Sequence, residues 1–215
     1  KSQFTTVAAH QLRTPLSIIK WTFRMLLSGD FGALNDEQKK VIERGDYINE
    51  SVIKLIADLL DVARIEAGRY RYRFERVALE DIITKVIMTL ARTAEARKVT
   101  IDVEAESGNA LFTMGDRIGL ETALENIVRN SINYTLPGGK IDIIYRQDRD
   151  LLEVKVKDTG IGIPKQDLSR MFTKFFRGVK VVKMETSGSG LGLFIARSIV
   201  IANGGEMGAE SEEGK

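Results

Sequence analysis

The stretch from Asn35 to Val62 reads NDEQKKVIERGDYINESVIKLIADLLDV, and its spacing decides the first part of the fold. Val41, Ile48, Leu55 and Val62 recur every seven residues, with Gly45, Val52 and Leu59 between them, so the interval alternates four and three. That is the pattern of helices packed along a seam. Asn35 predicts the helix start, with Gln38 in capping-box position, and Gly68 ends it. Upstream, Phe4, Ala8, Leu12, Leu16, Ile19, Phe23 and Leu26 stand three or four apart and predict a partner helix. Pro15 falls inside that run and predicts a kink or weak spot, because it removes a donor and clashes with the preceding turn. Ser28 to Gly32 is the turn between the two helices. Two antiparallel helices cannot hide such a seam alone. Either a second chain completes a four-helix bundle, or the hairpin packs on its own second domain.

The composition excludes several chemistries. There is no cysteine, so there is no disulfide, thiolate nucleophile or Cys-ligated metal. The one histidine, His10, rules out a two-His metal site within one chain. A net charge of +2 without blocks of like charge argues against a nucleic-acid or anionic-membrane surface. No apolar run approaches the roughly 18–20 residues that span a bilayer, and no signal peptide is visible. The chain begins at Lys1 with apolar residues already at helical spacing, so it reads as a fragment of something longer, with any membrane anchor outside it.

Beyond a boundary near residues 67–74, helices and strands mix without strict alternation, which points to an α+β layer domain. The domains are therefore 1–70 and 71–215. Strands are expected at Phe74 to Val77, Val99 to Ala105 and Leu111 to Met114, with a hairpin of Ile141 to Arg146 and Leu151 to Val156. Helices are expected from Leu79 to about Glu95, Asp116 to Tyr134, Gln166 to Phe175 and Leu191 to Asn203. The last is capped by Gly204-Gly205, and a terminal strand follows.

Two glycine clusters stand out. Asp158-Thr-Gly160-Ile-Gly162-Ile163 follows a strand, and Gly188-Ser-Gly190-Leu191-Gly192-Leu193 precedes a helix. Neither is a Walker A loop or a dinucleotide fingerprint. A glycine-rich loop feeding a helix N-terminus offers open backbone N–H groups that suit phosphate, although surface loops are often glycine-rich as well. On the 116–134 helix, Asn126, Asn130, Asn133 and Tyr134 share one face. Asparagines add little to helix stability. A carbonyl oxygen there suits a hard cation such as Mg²⁺, and a solvated polar face is the alternative.

These residues carry a resemblance. Asn126 to Thr135, Asp158 to Ile163, Phe172 to Arg177 and Gly188 to Leu193 resemble the N, G1, F and G2 boxes of sensor histidine kinases, in order. His10-Gln-Leu-Arg-Thr-Pro-Leu16 resembles their H box. The likeness spans essentially the whole chain. It implies a homodimeric four-helix bundle displaying His10, followed by an α/β sandwich of the gyrase and histidine-kinase type that binds Mg·ATP. By that likeness Asp158 accepts from the adenine amino group, Gly160 and Gly162 let the backbone approach the base, and Tyr134 lies against it. Asn130 ligates Mg²⁺, with Asn126 one turn before. Gly188, Gly190 and Gly192, with Leu191 among them, belong to the nucleotide-binding residues and hinge a lid over residues 176–190. Arg177 lies near the γ-phosphate. His10 attacks that phosphorus, and the phosphoryl group passes to an aspartate of a response-regulator receiver. Thr14 orients water for the reverse, dephosphorylating step. The same likeness implies an upstream sensor outside this chain and a cytoplasmic place for this portion of a membrane-anchored protein.

Three departures qualify the likeness. Where the family usually has Glu or Asp after the histidine stands Gln11, whose amide oxygen can orient the ring but cannot take a proton. Where Lys or Arg often stands is Asn133, which shifts the γ-phosphate contact to Arg177 and, more weakly, to Lys174. The chain also stops at Lys215, where family members normally add a strand. A phosphatase-dominant core and a non-catalytic receiver-binding scaffold are the competing expectations.

Overall fold

The computed structural model describes residues 2–106, 110–148, 151–178 and 188–214, the first nine of these by backbone alone. The chain divides into two compact units, Lys1–Tyr70 with Ser187–Ser189, and Arg71–Thr186 with Gly190–Lys215.

The first unit is a hairpin of α1 (Ser2–Ser28) and α2 (Asp36–Glu66). The α1 helix continues through Pro15 rather than breaking there. Asn35 and Gln38 form the full capping box, with Asn35 Oδ1 accepting from the Gln38 N–H at 2.8 Å and Gln38 Oε1 from the Asn35 N–H at 3.0 Å. Gly29 and Gly32 adopt φ of +85° and +110° in the connecting turn, which glycine enters without strain. The helices run antiparallel, because contacts ascend one helix as they descend the other. Asn49 Nδ2 donates to the Leu16 carbonyl at 3.0 Å, and the Phe23 ring fills the notch left by Gly45. Much of the heptad seam faces outward in the single chain: Val41 is 72% exposed and Ile48 53%, whereas Val62 is buried.

The second unit holds two sheets. Strands β1 (Phe74–Ala78) and β3 (Phe112–Asp116) pair antiparallel. Strands β2 (Thr100–Ala105), β4 (Lys140–Asp148) and β5 (Leu151–Asp158) form the order β2-β4-β5, parallel then antiparallel. The helices are α3 (Leu79–Arg97), α4 (Arg117–Tyr134), α5 (Lys165–Leu168) and α6 (Gly192–Ala202). The apolar stripes of α3 and α4 meet the alternating inward residues of β4. Ile82, Ile83, Val86 and Leu90 of α3 share one core with Val128 and Ile132 of α4 and with Ile141 and Ile143. The periods of 3.6 and 2 dictate this, since each element has one apolar side to hide.

Two expectations fail here. The helix expected over Gln166 to Phe175 stops after Leu168. Beyond it the chain makes single turns, Thr173 N–H to the Arg170 carbonyl at 2.8 Å and Phe176 N–H to that of Thr173 at 3.4 Å. The Thr173 hydroxyl also donates to the Arg170 carbonyl, and Phe175 sits at φ +60°, outside any right-handed helix. The terminal strand is absent among the described residues 203–214. The bonds of this segment go to a loop instead of a ladder, with the Ser211 hydroxyl accepting from the Ile163 N–H at 2.8 Å and the Gly214 N–H donating to the Ile161 carbonyl at 3.0 Å.

Candidate functional site

Helix α4 is anchored before it carries anything. Asp116 caps it, accepting from the Gly119 N–H at 3.2 Å, and the Asp116 N–H donates to Asn203 Oδ1 at 2.8 Å. Asn203 Nδ2 turns back to the Ile199 carbonyl of α6, also at 2.8 Å. One asparagine therefore locks the start of α4 to the end of α6. Sequence reading treated residues 203–205 only as a helix end, and nothing local distinguishes a cap from a cross-link. Gly119 lies against Ile199, where an added Cβ would come within 3.1 Å of its side chain.

With α4 fixed, the expected site residues sort as follows. Asn126 is buried, while Asn130, Asn133 and Tyr134 are half-buried along the same helix. Gly192, the first residue of α6, lies on Asn126; a Cβ there would be 3.1 Å from Asn126 Oδ1. At the other end of α4, the Tyr134 carbonyl accepts from the Ile161 N–H at 3.2 Å. A Cβ on Gly160 would come within 2.7 Å of that carbonyl, so a side chain there does not fit. Asp158 Oδ1 accepts from the Gly160 N–H at 3.0 Å, which folds the loop back on its carboxylate. Gly162 has φ +67° and lies against the Glu212 backbone. The start of α6 and the aspartate loop thus lie against the two ends of the asparagine face. Arg97, unremarked in the sequence, donates from Nη1 to the Asn133 carbonyl at 3.3 Å and steadies the last turn.

The segment before α6 adds positive charge. Gly190, at φ +69°, touches the backbone of Phe175 and Phe176; a Cβ would be 2.8 Å from the Phe175 carbonyl carbon. Lys174 Nζ stands 5.1 Å from the centroid of the Phe194 ring on α6. Arg170 covers Phe176 at 4.6 Å and Arg197 covers Phe172 at 5.1 Å, so cation–π contacts tie this segment together. A cleft of about 630 Å³ runs along it, lined by Gln166, Asp167, Arg170, Thr173, Lys174 and Arg177 among others. Three cations against one carboxylate suit an anion there. Neither Asp158 nor Asn130 lines this cleft.

Other expected residues are less fully described. Gln11 and Thr14 are exposed on α1, Gly188 and Gly190 are half-buried, and Leu191 is buried. The His10 side chain lies outside the described residues, as do residues 179–187 of the expected lid. Among the described residues no group of three or more His, Cys, Asp or Glu could hold a metal, and no helix is long and apolar enough to cross a membrane.

Comparisons with known proteins address both units. The family model described as "His Kinase A (phospho-acceptor) domain" matches residues 1–68. That described as "Histidine kinase-, DNA gyrase B-, and HSP90-like ATPase" matches residues 115–215. The "Non-motile and phage-resistance protein" of Caulobacter vibrioides is 30% identical over the whole chain, which covers 26% of that relative. The sensor histidine kinase WalK of Bacillus subtilis is 30% identical, again over the whole chain and 35% of its own length. The chain thus spans about a quarter to a third of these relatives. Among solved structures, the catalytic domain of the histidine kinase ThkA matches 66% of this chain and 90% of its own, at 27% identity and TM-score 0.58. Full-length ShkA in complex with AMPPNP matches 98% of this chain and 44% of its own, with TM-score 0.73 and 22% identity, a likeness of fold.

Proposed function

The chain belongs to the histidine kinases, carrying their phosphoacceptor and ATPase domains in that order, and on this premise we propose that it moves the γ-phosphoryl group of ATP to His10 and then to an aspartate of a separate receiver. The observation that supports the reading is that Gly192 lies on Asn126 at one end of the asparagine face while the Asp158 loop lies on Tyr134 at the other, with no room for a side chain at Gly160. Asp158 uses Oδ1 on Gly160, which leaves Oδ2 to accept from an amino group such as that of adenine. Gly160 lets the base approach the backbone. Tyr134 covers it, and the N-terminus of α6 faces the phosphates, where its dipole favours negative charge.

The residues present fit Mg²⁺. The face offers amide oxygens rather than an acidic cage, and Mg²⁺ takes few protein ligands and the rest from phosphate. Asn130 would hold it, with Asn126 adjacent, and the ion would neutralise charge on the phosphate oxygens.

The neutral imidazole of His10 attacks the γ-phosphorus. A P–N bond forms while the P–O bond to ADP breaks, and ADP leaves with that electron pair. The remaining ring N–H donates to the amide oxygen of Gln11, which orients the ring, and its proton is lost to water because an amide cannot accept it. A carboxylate would do both jobs. Gln11→Glu should therefore raise the rate of autophosphorylation about 100-fold, the lower end of the range of general-base catalysis. A lower rate in radiometric single-turnover assays would overturn the orienting role given to Gln11.

Half of the reading concerns a second copy. The exposed seam of α2, with Val41, Ile48, Val52, Leu55 and Leu59 on the surface of one chain, is the face a partner helix pair would cover. Gln11 also favours a second reading, in which dephosphorylation of the receiver dominates and Thr14 orients the water. Incubation with Mg²⁺ and γ-labelled ATP tests both. Acid-labile, base-stable label on the chain supports the kinase. ATP binding without label, together with phosphate release from a phosphorylated receiver, supports the second.

A further inference from the structure

We infer that Asn203 is a positioning residue of the nucleotide site: from the far end of α6 it sets where the start of that helix stands along α4. The inference rests on the nucleotide reading above. The two helices run antiparallel. Asn203, at the end of α6, bonds the Asp116 N–H at the start of α4, while Gly192, at the start of α6, lies on Asn126 further along. Ile199 lies on Gly119 between them. A helix of 11 residues spans about 16 Å, so the two ends of α6 are well separated.

Three glycines shape this contact. A Cβ on Gly115 would come within 3.0 Å of Asn203 Oδ1, one on Gly119 within 3.1 Å of the Ile199 side chain, and one on Gly192 within 3.1 Å of Asn126 Oδ1. Glycine permits close approach but offers no ridge to interlock, so these contacts alone leave the register loose. Asn203 fixes it. Its Oδ1 accepts from the Asp116 N–H and its Nδ2 donates to the Ile199 carbonyl, both at 2.8 Å. One acceptor and one donor are needed from a single short side chain, and an amide supplies both. The bond also reaches a fixed point, because Asp116 caps α4 through the Gly119 N–H. The Asp158 loop lies on Tyr134, at the other end of the asparagine face. A slip of α6 along α4 therefore moves the phosphate side of the site and leaves the base side in place.

The test titrates the full chain with Mg·ADP by calorimetry and with adenosine by NMR, for the wild type, Asn203→Ala, Asn203→Ser and Val86→Ala. ADP keeps the phosphate contacts without turnover, and adenosine has none. Asn203→Ala should weaken ADP about tenfold, the scale of one net hydrogen bond, and adenosine by less than about twofold. Asn203→Ser, which can keep one of the two bonds, should fall between. Val86→Ala thins the core from α3 and lowers Tm, yet should leave the ratio of ADP to adenosine affinity at the wild-type value. A merely structural role for Asn203 would make its variants behave like Val86→Ala. A ratio unchanged in both Asn203 variants, or shifted as far by Val86→Ala, would overturn the assignment. If the wild type bound neither ligand, the nucleotide reading itself would fall and the inference with it; ADP binding by the wild type with a ratio unmoved by Asn203→Ala sinks the inference alone.

Discussion

Asp158→Asn should reduce ATP affinity about 10–100-fold, the effect of losing a hydrogen bond to a charged acceptor in a half-buried site. The carboxylate does two things at once. One oxygen takes the Gly160 N–H at 3.0 Å, and in the proposed site the other accepts from the exocyclic amine of the base. An amide keeps the first bond and presents an NH₂ to the amine, so it loses the second bond and adds repulsion. The loop fold therefore survives while the affinity falls. Calorimetric titration with ATP and with GTP checks it. GTP carries an acceptor where ATP carries the amine, so Asp158→Asn should narrow the preference for ATP. Unchanged affinity for ATP would remove Asp158 from the base-recognition role.

Gly160→Ala should be the more damaging change, because the obstacle is backbone. The new Cβ would sit 2.7 Å from the Tyr134 carbonyl oxygen and 2.6 Å from Asp158 Oδ1. The carboxylate can rotate away, at the expense of its bond to the loop. The carbonyl is part of the last turn of α4, and it also accepts from the Ile161 N–H at 3.2 Å, so it cannot. The loop must shift, separating Asp158 from Tyr134. Overpacking of this kind costs about 1–3 kcal/mol, which lowers Tm by several degrees in a domain of this size. ATP binding should fall about a hundredfold or more, since base recognition and loop position are lost together. Thermal unfolding with and without ATP separates the two effects: the variant should lose the ATP-induced rise in Tm while retaining a cooperative transition. A variant that keeps that rise would show the Gly160 contact to be unimportant for the nucleotide.

What the sequence made legible follows from where the information is local. The capping box at Asn35 and Gln38 needs only two residues three apart, and it forms as the spacing predicts. Helices α3 and α4 and the β4–β5 hairpin likewise carry their own periodicity. The pairing of β1 with β3 and of β2 with β4 joins segments far apart along the chain, and no single window records it. The Gln166–Phe175 segment looked helical because its apolar residues are suitably spaced. Thr173 and the left-handed Phe175 settle the matter locally against that pattern. The expected terminal strand failed for another reason: the Ser211 hydroxyl and the Gly214 N–H bond to the Ile161–Ile163 loop.

The site divides in the same way. The glycine clusters and the asparagine face stand out from residue types alone, although surface loops and solvated faces use the same residues. The residues that position them do not. Asn203 stands only as the end of an expected helix and Arg97 carries no signal of its own, yet one ties α4 to α6 and the other bonds the Asn133 carbonyl.

The central claim is that phosphate from ATP comes to rest on His10. Tandem mass spectrometry of the chain after incubation with Mg·ATP, worked up at alkaline pH so that a phosphoramidate survives, tests it most directly. The account predicts a single phosphorylated fragment containing His10, lost after brief acid treatment and absent from His10→Ala. A chain that binds ATP yet carries its phosphate on a serine, threonine or aspartate, or that remains labelled after His10→Ala, would contradict it.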